Sequence, residues 1–508
     1  MRKKYYRLNS VSYFVGELVS NFSYFLLVPL IIVFLYRQQP NEGLMTTLSF
    51  IFSALLAFVV GTLLKKIFRD NKIDGTASML ICGLGWIFIS ALGAIPYVLI
   101  IKASYLDAFF EAVSGFTTTG ITVFSGLDSM PPSLIFWRSL TQWVGGLGIL
   151  SLFIFIAYQS GGTHHIYSAE SHKISSSRPR PGLFNTLRVL WSIYLLYTLM
   201  ATILYAIEGM GLFDAINHAF TTLSTGGFSP HDASIAYYAA NNYEHYKLIE
   251  YTVTFFMLLG GINFLIHFRV LQGDFKSLVD NVEIRMWWKL LLLFTGIIML
   301  EHLYKTGWLE QLFQGQVADF WSKLESTFRY TVFQVVSVIT TAGFGTKDIG
   351  GSFFPALARQ LFLVMMVIGG CVGSTGGGIK VMRVVTLKKL LSRELFKIWT
   401  PQNATDKLVI DGNIVPDDEI HRISSLFFYW MVLLVIGGGI TAFLTDLSAW
   451  QSFSGMFSAL GNIGPSYISV SEMISIHPVV KLTYIMGMLL GRLEIIPILL
   501  IFTKKAWR

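Results

Sequence analysis

The chain has 508 residues, of which 53% are hydrophobic and only 13% charged, with a formal net charge of +8. Soluble globular domains carry about 25% charged residues; half of that is missing here, which excludes a water-soluble globule and fits a bilayer, where unpaired charge is costly. Only Cys82 and Cys371 are present, both in apolar runs, so a disulfide framework and a cysteine metal cluster are excluded as well.

A membrane span needs about 20 predominantly apolar residues. Ten stretches qualify, near 20–37, 46–64, 77–101, 133–158, 185–207, 247–271, 285–303, 355–370 with its continuation, 424–445 and 479–503. Met1-Arg2-Lys3-Lys4 leads into the first without a small-residue cleavage site, so this reads as a retained span and not a signal peptide. Basic clusters follow every even-numbered span: Lys65, Lys66, Arg69 and Lys72; Lys173, Arg178 and Arg180; Arg269 and Lys276; Lys388, Lys389, Arg393 and Lys397; Lys504 and Lys505. The positive-inside bias then puts both termini in the cytoplasm. On that side His164, His165 and His172 read as solvated loop residues, and the sequon at Asn403 is disregarded.

Four further segments are too short to span, and each ends in a glycine turn. Aligned on Gly120, Gly227, Gly343 and Gly464, they carry a small hydroxyl six residues earlier: Ser114, Thr221, Ser337 and Ser458. Positions eleven, eight, seven and four before the glycine are apolar in all four, which is one face of a helix. The sequence therefore predicts four short amphipathic helices, each entering a turn and each flanked by a span on either side. Such internal duplication suits a membrane protein. The fold expected is an all-α polytopic membrane protein: four parallel helix–re-entrant pore loop–helix repeats around a pseudo-fourfold axis, plus an N-terminal helix pair. The divisions fall at 1–72 for the pair, then 73–182, 183–280, 281–418 (with the glycine-rich run) and 419–508.

Non-helical backbone at membrane depth is tolerated only where it lines a cavity or water-filled path. Four glycine turns around one axis give a ring of carbonyl oxygens able to replace an ion's hydration shell. The residues expected in that filter are Thr118, Thr119 and Gly120; Thr225, Gly226 and Gly227; Thr341, Ala342 and Gly343; Asn462, Ile463 and Gly464. The partly negative C-terminal ends of the short helices would favour a cation there. The ring differs on its four sides and is poorer in glycine than a tetrameric K⁺ filter, which implies less strict selection.

Together with Gln142-Trp143-Val144-Gly145-Gly146-Leu147-Gly148 and the run from Gly369 to Lys380, these loops resemble the Trk/Ktr/HKT superfamily of K⁺ transporters over nearly the whole chain. The extra N-terminal pair makes it most similar to the bacterial TrkH branch. The resemblance implies K⁺ uptake across a bacterial inner membrane, with K⁺ bound at the filter as the only metal ion and no covalently held cofactor. It also implies a homodimer in the lipid bilayer and a cytosolic TrkA-type regulatory subunit carrying the nucleotide site that this sequence lacks. Basic stretches near 165–182 and 380–397 are the expected contact with that subunit. Gly120 is retained where Na⁺-selective plant-type members carry serine, which favours K⁺; Asn462 in place of threonine departs from the pattern.

By the same resemblance Gly373, Ser374, Thr375, Gly376, Gly377, Gly378 and Lys380 form an intramembrane gating loop beneath the filter. Read from the residues alone, the run is also consistent with a small-residue packing seam. It lacks the Gly-Lys-Ser/Thr of a phosphate-binding loop, and no strand precedes it. Arg492, inside the tenth span, is a functional candidate because charge at that depth is costly. Gly145-Gly146 and Gly369-Gly370 fall 25 and 26 residues after their filter glycines (145−120, 369−343), and Gly491-Arg492 falls at a similar depth. Arg492 is therefore expected to line the pore just below the filter, unless Glu494 or loop carbonyls neutralise it. Two alternatives stand beside K⁺ uptake: a Na⁺-permeable pore or coupled cation symporter of the same superfamily, and an organic-solute transporter, against which the fourfold pattern speaks. A membrane enzyme would need clustered carboxylates or histidines within spans; none is seen, and no catalytic residue or nucleic-acid contact is assigned.

Overall fold

The computed structural model describes residues 6–69, 73–148, 151, 183–307, 320–400 and 407–507. His164, His165, His172, Asn403 and the 165–182 stretch lie outside these. Helices dominate, with one two-residue antiparallel pairing, Val409–Ile410 with Asn413–Ile414.

The N-terminal pair consists of Tyr6–Phe25 with Leu30–Leu35, followed by Leu44–Ile67. The first span begins well before residue 20. Its polar residues had diluted the apolar signal, but Ser10 and Ser20 are buried and Ser23 donates back to the Ser20 carbonyl at 2.7 Å. Pro29, which cannot continue a helical hydrogen-bond ladder, marks the break before Leu30. The two helices cross closely: a Cβ on Gly61 would fall under 3.0 Å from the Ser20 backbone nitrogen.

Each repeat then has an outer helix, a pore helix and an inner helix. The outer helices are Gly75–Gly93 with Ile95–Ile101, Leu183–Ile207, Val282–Lys305 and Asp417–Leu444. The pore helices are Tyr105–Phe116, Leu212–Leu223, Phe320–Ile339 and Ala449–Gly461. Side-chain caps start several of them. Ser104 accepts from the Asp107 N–H, and Ser448 and Gln451 form a reciprocal capping box. The third pore helix, at 20 residues, is not short as expected, but its buried residues gather in its second half, where it approaches the ring.

The expected spans at 133–158, 247–271, 355–370 and 479–503 are not continuous helices. The inner helix of repeat 1 is Pro132–Gly146. In repeat 2, Tyr246–Gly261 and Phe264–Leu271 meet at 106°. In repeat 3, Ala356–Val367 and Val381–Trp399 are separated by the glycine-rich run, and in repeat 4 Pro478–Arg492 is followed by Ile496–Ile501. Among the described residues six helices are therefore long and apolar enough to cross a membrane, or seven counting the bent pair. The breaks fall at glycine-containing pairs (Gly145-Gly146, Gly260-Gly261, Gly369-Gly370, Gly491-Arg492), where backbone groups leave the helical ladder to bond elsewhere.

Buried and part-buried ion pairs join the repeats. Glu111 of the first pore helix pairs with Arg138 at 2.7 Å, and Arg138 reaches on to the Ser229 carbonyl in repeat 2. Glu250 of repeat 2 pairs with Arg329 of repeat 3, and Lys481 of repeat 4 with Asp107 of repeat 1 at 2.5 Å. Removing one partner of a fully buried pair such as Glu111–Arg138 or Glu250–Arg329 typically costs about 3–5 kcal/mol, so these two are strong constraints on how repeats sit together, while the part-exposed Asp107 makes its pair with Lys481 a weaker one.

Candidate functional site

All four pore helices end in the same way. The residue that ends each helical turn is left-handed: Thr118 (φ 53°), Thr225 (53°), Thr341 (60°) and Asn462 (54°). Its N–H bonds to the carbonyl three residues back, and the next N–H reaches the carbonyl of Ser114, Thr221, Ser337 or Ser458 at 2.9–3.0 Å. This is the Schellman geometry. The turn closes on the backbone of these residues, and two of their hydroxyls reach further into it: Ser337 donates to the Phe344 carbonyl at 2.7 Å and Ser458 to that of Gly464 at 2.9 Å. Ten described non-glycine residues have positive φ, and four of them are these. Left-handed backbone at non-glycine residues is strained and gathers at functional sites. Gly120, Gly227, Gly343 and Gly464 follow two residues on, with φ of 83°, 77°, 79° and 103°.

The four turns close into a ring. A Cβ on Gly120 would fall under 3.0 Å from the Gly226 carbonyl oxygen, on Gly227 from that of Ala342, on Gly343 from that of Ile463, and on Gly464 from that of Thr119. Each repeat's glycine thus leans on the next repeat's carbonyl, and the fourth returns to the first. The twelve expected filter residues come together here. Thr118, Thr119, Thr225, Thr341, Ala342, Asn462 and Ile463 are buried, while Gly120, Gly227 and Gly343 keep partial exposure. Side chains brace the ring. Gln142 donates to the Gly226 carbonyl at 2.6 Å and accepts from the Phe228 N–H. Ser458 both accepts from the Gly464 N–H and donates to its carbonyl. Asn462 donates to Thr119 Oγ1 at 2.8 Å and to the Met488 carbonyl; the departure from threonine ties the fourth side to the first.

Beside the ring, after the second turn, His231 bridges repeats 1 and 2. Its Nδ1 meets the Asp128 carboxylate and its Nε2 meets Asp214 at 3.0 Å. Only the protonated ring donates to both. Burial pulls its pKa down, but the bonds to Asp214 and Asp128 outweigh that and leave it raised. With the folded value above the unfolded one of about 6.5, the stabilisation is complete at lower pH and is lost as pH rises through the folded value. Thermal melting on going from about pH 6 to about pH 9 is expected to lose more in the wild type than in His231→Gln; equal slopes would remove the bridge from consideration.

Beneath the ring lies the glycine-rich run. Its stem is a parallel bridge between Ile368 and Ile379, with Gly369 donating to Ile379 and Ile379 to Val367. The loop body sits in the break of the repeat 2 inner helix. Cys371 donates to the Gly261 carbonyl, Thr375 to that of Gly260, and Phe264 to that of Gly373. Thr375 Oγ1 reaches the Leu223 carbonyl at the end of the second pore helix at 3.0 Å, and the Gly377 N–H reaches Thr341 Oγ1 of the third turn at 2.7 Å. A Cβ on Gly376 would stand 2.9 Å from the Thr340 carbonyl. Lys380 folds back onto the Gly376 carbonyl. Gly373 and Gly378 hold φ of 74° and 65°, and Ser374 sits in the turn that follows Cys371. The seven residues expected in the gating loop therefore form one element pressed against the ring of four turns.

Arg492 is the last residue of its helix, just before Glu494 and Ile495, which both hold positive φ. It does not lie within a continuous span. Its guanidinium donates to the Thr375 carbonyl at 2.8 Å and to those of Gly145 and Gly146 at 2.6 and 2.8 Å. It thus ties repeat 4 to the loop and to the break in repeat 1. Glu494 pairs with Arg383, at the start of the helix leaving the loop.

Residues 48–507 match the TrkH family of cation transport proteins. The chain belongs to the TrkH family. It is 31% identical to the Trk system potassium uptake protein TrkH of Escherichia coli K12, covering 98% of this chain and 99% of that one. It is equally similar to the protein of that name from Vibrio parahaemolyticus, at 99% and 100% coverage. The crystal structure of the potassium transporter TrkH from Vibrio parahaemolyticus superposes with a TM-score of 0.82 at 29% identity, over 99% of this chain and 100% of that one.

Several residues that shape this TrkH-family site escaped the sequence reading. Glu111, Arg138, Glu250 and Arg329 are charges in or beside apolar segments, and that alone was the available signal. Gly260-Gly261 was visible as a glycine pair but lay inside an apolar window. Gln142 was noticed within a motif, but its contact with Gly226, 84 residues away, has no local signature.

Proposed function

We propose that this chain conducts K⁺ across a bacterial inner membrane, with both termini cytoplasmic, and that it is a transporter and not an enzyme. The observation that carries the reading is the closed cycle of glycine–carbonyl contacts at the ends of four alike pore helices. Such a ring offers carbonyl oxygens in place of ion hydration, and the pore-helix C-termini add partial negative charge. The names of the relatives, potassium uptake proteins, support K⁺ as the ion. The twelve residues of the four turns form the filter in this reading, the loop from Gly373 to Lys380 obstructs the path beneath it, and Arg492 is the cation that holds the loop. The repeats divide at 73–182, 183–280, 281–418 and 419–508, with 1–72 as the added pair. The membrane unit works as a homodimer with a cytosolic TrkA-type nucleotide-binding subunit, in keeping with the Trk system named for its relatives and with the exposed basic residues Lys388 and Lys397.

The test is the reversal potential of the purified chain in liposomes under opposed K⁺ and Na⁺ gradients. It is expected to lie near the K⁺ equilibrium potential. Reversal at the Na⁺ potential, or transport of neither ion by folded protein even after removal of the loop, would defeat the reading.

A further inference from the structure

We infer that Glu283, in the first turn of the repeat 3 outer helix, is the positioning residue that clamps the glycine-rich loop shut at its stem. The stem's parallel pairing runs from Val367 to Gly370 on one side and from Ile379 to Val381 on the other, ending where the Val381 N–H meets the Gly370 carbonyl. Just beyond that rung each arm presents another N–H, from Val372 and from Met382. Met382 opens a helix, so its N–H has no carbonyl within that helix to meet. A single carboxylate oxygen of Glu283 takes both: Val372 at 2.7 Å and Met382 at 3.2 Å. Glu283 is buried, as are Val372 and Met382, so water does not substitute for it. The carboxylate acts as one more rung across the stem, supplied by a different helix.

That helix is itself pinned from the far side. The Val282 N–H, one residue earlier, is accepted by both carboxylate oxygens of Asp411 at 3.2 and 3.3 Å, at the tip of the small antiparallel pairing of Val409–Ile410 with Asn413–Ile414. Val409, Ile414 and Asp411 of that pairing are exposed. The order of contacts is therefore an exposed two-stranded tip, the start of the repeat 3 outer helix, Glu283, and both arms of the loop. Whatever displaces the tip or the helix start pulls on the loop at its base, not at its glycine-rich crown.

This inference rests on the loop being the obstruction proposed above, and the experiment separates the two. In full-length protein carrying Cys82→Ser, Cys371 is the only thiol, and it is buried within the loop. Glu283→Ala is expected to raise alkylation of Cys371 by N-ethylmaleimide roughly tenfold, because the two hydrogen bonds that its carboxyl oxygen accepts across the stem are lost. It should also raise K⁺ flux in liposomes without moving the K⁺/Na⁺ reversal potential. Glu283→Gln retains an acceptor oxygen and should restore both readouts. If Glu283→Ala does not fold, Glu283→Asp, which withdraws the oxygen by one methylene, takes its place. Wild-type alkylation and flux in the folded variant overturn the clamp, as does Glu283→Gln behaving like Glu283→Ala. Fast alkylation with unchanged flux upholds the clamp and overturns the loop as obstruction. Raised flux on deleting Gly373 to Gly378, with no effect at Glu283, upholds the obstruction and overturns the clamp.

Discussion

Serine at Gly120 or at Gly343 is expected to lower the K⁺/Na⁺ permeability ratio roughly tenfold, about 1.4 kcal/mol of discrimination. Two effects combine. Both glycines hold φ near 80°, where an L-residue stores about 1–3 kcal/mol of strain. In addition, the new Cβ would collide with the carbonyl of the adjoining repeat, Gly226 for Gly120 and Ile463 for Gly343. The carbonyl has to turn or retreat, and the oxygen that replaces ion hydration moves with it. The damage is therefore to geometry and falls on selectivity before stability. The measurement is the reversal potential under mixed gradients, on protein whose melting is close to wild type. Unchanged ratios in both folded variants would show that the ring is not the selecting element.

Deleting Gly373 to Gly378 is expected to raise K⁺ flux through the isolated chain severalfold, with selectivity unchanged. The loop reaches Leu223 and Thr341 directly beneath the filter, and the filter's own braces, Gln142, Ser458 and Asn462, do not depend on the deleted residues. Arg492→Gln should move flux in the same direction but less far. It removes the charge-assisted bonds to Thr375, Gly145 and Gly146, each worth about 1.5–3 kcal/mol, while leaving the loop's seat on Gly260 and Gly261 intact. Rubidium uptake into liposomes at matched protein density measures both. Flux at or below wild type in the folded deletion variant would make the run a packing seam.

The pore helices and their turns were legible in the sequence because what forms them is local. A helix face every three to four residues and a hydroxyl six residues before a glycine lie within a dozen positions of each other, and a fourfold recurrence makes the pattern hard to miss. The broken inner helices were not legible. Tyr246 to Leu271 reads as one apolar span because hydropathy averages over the very place where Gly260 and Gly261 give their carbonyls to Cys371 and Thr375, more than a hundred residues away. A break of that kind is stable only because a distant segment supplies the missing donors. The same holds for Glu283, whose partners are 89 and 99 residues distant. Arg492 stood out as a charge at depth, but its identity as a tie between carbonyls of repeats 1 and 3 required the packed structure. The start of the first span was misread for the opposite reason: polar residues such as Ser10 and Ser20 are ordinary where one helix covers another.

The ring of glycines and carbonyls is drawn from one polypeptide. In a channel assembled from four identical subunits, any codon change at the filter is repeated on every wall at once. Here it alters a quarter of the circumference. One wall carries Asn462 where the other three carry Thr118, Thr225 and Thr341, and its amide bonds Thr119 across the seam. A ring encoded this way can be changed wall by wall, with three unaltered sides holding its shape while the fourth varies.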